Sequence, residues 1–128
     1  MKHWQVLRPG DVVDVVAPAS HTTQDKLDHG SQWLESHGFI PRIPQGIIQG
    51  DVFFAAPFEL QLEQFKSALA SDSKAIWCVR GGYGSMRLIP HLMKMKPPKK
   101  PKLLLGFSDI TALHLFFTQQ WKIGRAHI

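Results

Sequence analysis

Two short stretches place reactive residue types where apolar runs break. Gly106-Phe107-Ser108-Asp109 interrupts the otherwise apolar segment from Leu103 to Phe117. Arg80-Gly81-Gly82-Tyr83-Gly84-Ser85 follows the apolar stretch that ends at Val79. In the first, Gly106 permits a tight turn and close approach by a neighbour. Ser108 then falls at the apex between a strand and a helix, which is the geometry of a nucleophile elbow. The N–H of Asp109 lies at the helix start, where no intrahelical acceptor exists, and a free N–H just after a nucleophile is a natural oxyanion donor. A blander reading competes: Ser and Asp are standard helix caps, so either residue could serve only to start the helix. The pattern is not G-x-S-x-G, because Ile110 stands in the place of the second glycine.

The second stretch also has two readings. Its glycines could form nothing more than a turn, or its N–H groups could form a cradle for an anion or oxyanion. No G-K-[ST] closes the loop, which removes a P-loop. The glycine-rich turn also follows the third apolar strand rather than the first, which removes a dinucleotide fingerprint. Ser85 is a rival nucleophile that fits better as the cap of the helix after it.

A serine nucleophile needs a base, and the base needs an orienting acid. Seven histidines are present, at positions 3, 21, 29, 37, 91, 114 and 127, with no H-x-x-x-H pair and no partner cysteines. No metal site is expected. His114, six residues past Ser108, reads as a core or interface residue. No convincing His–acid pair emerges, so either Ser108 is not catalytic or its partners lie elsewhere.

The elements that must position these loops alternate. Asp11–Pro18 reads as a valine-rich buried strand, followed by a helix carrying Leu27, Gly30 and Leu34 on one face, capped by Thr22 or Thr23 and closed at Gly38. Phe39–Pro44 is a short strand whose prolines place it at an edge. Pro57 starts a helix with Phe58, Leu62, Phe65 and Leu69 facing inward. Lys74–Val79 and the Lys102–Phe107 segment are two more strands, separated by a short helix in which Leu88, Ile89 and Leu92 face the core. Ile110, Leu113, Phe117 and Trp121 mark the last helix, and a fifth strand is expected from Ile123. Such alternation predicts an α/β domain with a mostly parallel sheet. Its reactive loops then share the carboxyl edge of the strands, where sites in open parallel sheets form. The strands of Val13, Ile76 and Leu104 are expected to be central and parallel.

The 128 residues, 44% of them apolar, suffice for one domain with a core. Net charge is +5, and much of it sits in Lys94–Lys102, which reads as a solvated proline-rich loop. No aromatic residues interleave with those lysines, so no nucleic acid partner is expected. The single cysteine, Cys78, excludes an internal disulfide and reads as a core residue in a reducing compartment. No signal peptide and no membrane-length apolar run is seen, and a cytoplasmic protein with no membrane partner is expected.

The segments Leu7–Ser20, Val79–Leu92 and Leu103–His114 occur in an order and at separations that resemble the N-terminal part of L,D-carboxypeptidases of the muramoyltetrapeptide type, serine peptidases that also include microcin-immunity proteins. The resemblance implies a three-layer sandwich, flavodoxin-like or amidotransferase-like, with helices on both faces and about five strands. It implies that Ser108 is the nucleophile, with the N–H groups of Asp109 and Gly82 as oxyanion hole and Gly81, Tyr83, Gly84 and Ser85 at the substrate. The base, a histidine oriented by a glutamate, is then expected from a C-terminal domain, with residues 1–128 forming a single N-terminal domain that is inactive by itself. No cofactor or metal is implied. The implied substrate is a murein tetrapeptide whose terminal D-alanine is removed during cell-wall recycling in the cytoplasm. The alternatives are a peptidyl-nucleotide antibiotic or, in a different class, a non-catalytic anion- or nucleotide-binding module. One departure is that Leu60 or Gln61 stands where the family often carries an arginine. A homodimer is expected, with an apolar patch around Trp121, Ile123 and Ile128 as one source of self-association.

Overall fold

Valine-rich and leucine-rich strands that are apolar on both sides need cover on both sides, and the fold supplies it. The computed structural model describes residues 3–49 and 53–123. Strands β1 (Val12–Val16), β2 (Ile40–Arg42), β3 (Ala75–Cys78) and β4 (Leu103–Leu105) form a sheet in the order β2-β1-β3-β4. Every pairing is parallel, with Val13 opposite Ala75 and Ile76 opposite Leu104. Strands β1 and β3 are central as expected. Strand β4 is the outer strand of the four described, and most of the expected fifth strand, residues 124–128, lies outside the described residues.

Side chains alternate across the sheet, so each face gathers its own core. Val16, Ile76, Cys78 and Leu104 join Phe65 and Leu69 of α2 (Phe58–Ala70) and Leu113 and Phe117 of α4 (Thr111–Gln119). On the other face, Val13, Val15 and Ala75 meet Leu27 and Leu34 of α1 (Gln24–Ser36). The result is three layers. Thr23 caps α1 by accepting the Lys26 N–H at 3.3 Å, and Gly38 takes φ +86° just past its end. Gly30 has no Cβ because Trp77 of β3 occupies that space: a Cβ there would lie 1.9 Å from the indole Cη2. The helix predicted after Gly84 is a 3₁₀ turn, Ser85–Leu88, that runs into the single α turn α3 (Ile89–Leu92), with Pro90 near its start where a missing N–H costs little.

Two expectations are corrected. Trp121 and Ile123 are 6% and 1% exposed and belong to the core with Phe116 and Phe117, so the apolar patch expected there is absent at those two residues; the indole of Trp121 stacks edge-on against Phe116 at 4.9 Å. Lys102, taken as the last residue of a solvated loop, is 2% exposed. Its ammonium donates to the Ser71 and Ser73 carbonyls at 2.8 and 2.7 Å, which is how a buried cation is tolerated. Asp14, read as part of an apolar strand, is buried too. It accepts from Arg42 at 2.6 and 3.1 Å and from the Ser71 and Ser73 hydroxyls at 2.5 and 2.6 Å. Burial pushes the Asp14 carboxyl up, but the Arg42 guanidinium and the two hydroxyls outweigh it and hold the group below its usual range. Burial lowers the Lys102 ammonium.

Candidate active site

Three loops leave the carboxyl ends of β1, β3 and β4 and meet at one edge of the sheet. The β4 loop holds Ser108. Phe107 is extended (φ −144°, ψ 172°), and Ser108 turns to φ +55°, the left-handed region that disfavours a side chain. The chain then enters a 3₁₀ turn, Ser108–Ile110, continuous with α4. This is the strand–turn–helix geometry of a nucleophile elbow. Ser108 is exposed, and its strained backbone separates it from an ordinary cap, which has extended φ and ψ. Phe107, the residue before the turn, makes no side-chain cap hydrogen bond.

The β3 loop, Arg80–Ser85, packs against the Ser108 turn. A Cβ on Gly81 would lie 2.8 Å from the Phe107 carbonyl, 2.9 Å from the Asp109 nitrogen and 2.9 Å from Ser108 Cβ, so only glycine lets the two backbones approach. Gly82 and Gly84 take φ +90° and +112°. Residues 81–84 and Ser108 are thus brought together as the sequence suggested. Gly82 and Tyr83 are exposed and Gly81, Gly84 and Ser85 are buried.

Ser85 was expected to cap its own helix; instead it is capped by another loop. The Asp109 carboxylate accepts the Ser85 N–H at 2.8 Å, and the Ser85 hydroxyl donates to the Asp109 carbonyl at 2.8 Å. Fully buried, Ser85 is excluded as a nucleophile.

The β1 loop contributes Ser20, which sequence reasoning missed. Its hydroxyl oxygen accepts the Tyr83 N–H at 2.8 Å, and its own N–H donates to the Gly81 carbonyl at 3.1 Å. A Cβ on Gly82 would lie 2.1 Å from that hydroxyl. Tyr83 and Ser85 N–H groups are therefore already engaged, whereas no internal acceptor among the described residues takes the Gly82 N–H. The signal for Ser20 was its place at the carboxyl end of a central strand, where ligand loops gather.

Gln61 carries the β1 loop. Its amide donates to the Ala17 and Ala19 carbonyls, both at 2.9 Å, and accepts Arg87 Nη2 at 3.1 Å. The Arg87 guanidinium lies 3.7 Å from the centre of the Phe54 ring. A guanidinium is thus present beside α2, delivered from the turn after Gly84 rather than from position 60 or 61. Arg80 donates to the His21 carbonyl and stays exposed.

No histidine among the described residues hydrogen-bonds Ser108. His114 is fully buried with Nε2 on the Leu104 carbonyl at 3.0 Å, a core residue as expected. Cys78 is buried, and burial pushes its thiol up, so it is no nucleophile. Among the described residues no group of His, Cys, Asp or Glu is arranged to hold a metal, and no helix is long and apolar enough to cross a membrane.

Compared with known protein families, residues 13–127 match the LD-carboxypeptidase N-terminal domain. The murein tetrapeptide carboxypeptidase of Pseudomonas aeruginosa is 35% identical over 103 residues, covering 79% of this chain and 34% of that protein. Among solved structures, an MccF-like protein from Bacillus anthracis superposes with a TM-score of 0.85 at 21% identity, covering 99% of this chain and 40% of that one. The muramoyltetrapeptide carboxypeptidase of Oxalobacter formigenes gives a TM-score of 0.69 at 26% identity, covering 81% and 35%. The chain spans between 22% and 41% of the length of the relatives it matches.

Proposed function

Because this chain belongs to the LD-carboxypeptidase family through its N-terminal domain, we propose that it carries the nucleophile of a serine peptidase that removes a terminal D-amino acid from cell-wall peptides. The observation that carries this reading is Ser108 at φ +55°, exposed on a strand-to-helix turn, against a glycine loop only glycine could bring so near. Ser108 Oγ attacks the carbonyl carbon of the L-centred residue. The carbonyl oxygen becomes an oxyanion that receives the N–H groups of Asp109 and Gly82. The amine of D-alanine leaves with a proton, and water then hydrolyses the acyl-serine ester. The base that takes the serine proton, and the acid that orients it, come from a further domain. The murein tetrapeptide is the favoured substrate because a relative at 35% identity bears that name. The second reading, a peptidyl-nucleotide hydrolase, has the MccF-like structural likeness in its favour, at 21% identity. We place the activity in the cytoplasm.

The experiment compares residues 1–128 with the full-length protein on a tetrapeptide ending in D-alanine. Removing a triad partner leaves only about 10³–10⁴-fold acceleration from the oxyanion hole and binding, so the expected result is turnover by the full-length protein and none of note by residues 1–128. Turnover by residues 1–128 that vanishes in Ser108→Ala would place the base within them and overturn this account. Anion binding by the Arg80–Ser85 loop with no turnover by either protein would favour the non-catalytic module.

A further inference from the structure

The mechanism above uses the Asp109 backbone and leaves its carboxylate unexplained. A carboxylate close to a developing oxyanion opposes that charge, so its presence beside Ser108 needs a compensating role. The geometry supplies one. The carboxylate accepts the Ser85 N–H at 2.8 Å, and the Ser85 hydroxyl donates to the Asp109 carbonyl at 2.8 Å. Two bonds, both donated by Ser85 and accepted by Asp109, thus fasten one residue of the nucleophile turn to one residue of the glycine loop. Ser85 is fully buried, so water cannot replace either bond without opening the structure. The loop is held at its other end by Ser20, through the Tyr83 N–H and the Gly81 carbonyl. Gly82 lies within the Ser20 clamp, between Gly81 and Tyr83, and the Ser85 bonds fix the loop where it continues past Gly84.

We propose that Asp109 is a two-ended positioning residue: its N–H is one oxyanion donor, and its side chain, through Ser85, holds the loop that supplies the other. This rests on the reading of Ser108 as nucleophile. What the side chain must supply is an acceptor oxygen, not a negative charge. Asparagine keeps an acceptor oxygen and removes the repulsion; alanine removes both.

The test uses Asp109→Ala, Asp109→Asn and Ser85→Ala in the full-length protein. Loss of an oxyanion donor typically costs about 10²–10³ in kcat, so Asp109→Ala is expected to fall by about that factor with KM changed little. Asp109→Asn is expected to recover to within about tenfold of the parent, and Ser85→Ala to lose about tenfold or more in kcat. Amide exchange of Ser85 gives a second measurement that does not depend on turnover: protection should fall in Asp109→Ala and persist in Asp109→Asn. An asparagine variant as poor as alanine, a loss confined to KM, or unchanged Ser85 protection in Asp109→Ala would overturn the proposal. If the parent protein turns over neither a D-alanyl peptide nor a peptidyl-nucleotide, the nucleophile reading fails and the catalytic half of this proposal with it; the exchange measurement still decides whether the carboxylate holds the loop.

Discussion

Gly81 sits so close under Ser108 that a Cβ on the glycine would lie 2.9 Å from the serine Cβ and 2.9 Å from the Asp109 nitrogen. The contact joins the glycine loop to the nucleophile turn. Gly81→Ala must push the two apart by some tenths of an ångström or more. Misplacement on the scale of an ångström costs about 10²-fold in rate. We expect kcat/KM of the full-length protein to fall by about that factor, with a melting temperature lowered by only a few degrees; parent-like kinetics would show that the two loops tolerate separation.

The φ of +55° at Ser108 costs about 1–2 kcal/mol for a residue with a Cβ. Alanine keeps that strain and glycine releases it, less the extra entropy glycine loses on folding. Ser108→Gly should therefore be more stable than Ser108→Ala by up to about 1 kcal/mol, read from urea denaturation, with both variants inactive. Equal stability of the two would mean that the turn is not strained.

Gly30 offers a sharper contest of magnitudes. In an exposed helix, Gly→Ala gains about 1 kcal/mol. Here the new methyl would be 1.9 Å from Trp77 Cη2, and overpacking costs about 1–3 kcal/mol. The clash should win, making Gly30→Ala net destabilising, with altered Trp fluorescence. A stabilised variant would show that the indole can swing away freely.

Asp14 ties acid stability to the opposite end of the sheet. Its folded pKa lies below the ordinary value of 3.8. A lowered carboxyl pKa adds stability that is present above the unfolded value and is lost as pH falls through the folded one. Asp14→Asn should cost about 1–3 kcal/mol near neutral pH and flatten the decline of stability below about pH 4. An unchanged acid limb in urea titrations would assign that limb to other carboxylates.

Periodicity and composition made the layers legible. Alternate strand residues such as Val15 and Val16 went to opposite cores, and Leu27 and Leu34 fell on one buried helix face. The Ser108 turn was legible because a serine between an apolar strand and an apolar helix has few purposes. What could not be read were contacts between polar residues far apart in sequence. Ser20 with Tyr83, Asp109 with Ser85, and Lys102 with Ser73 join positions separated by 63, 24 and 29 residues, and nothing in local spacing encodes them. Trp121 and Ile123 were misplaced for a related reason: an apolar residue near a chain end is equally compatible with core and patch until its neighbours are known.

The central claim is that Ser108 is the nucleophile, and trapping its acyl or phosphonyl adduct tests it most directly. The full-length protein would be treated with a serine-directed fluorophosphonate, digested and sequenced by mass spectrometry, beside Ser108→Ala. The account predicts one equivalent of label on the peptide containing Ser108, with loss of D-alanine release in step with labelling, and neither label nor turnover in the alanine variant. Label on another serine, or D-alanine release that survives Ser108→Ala, would contradict it.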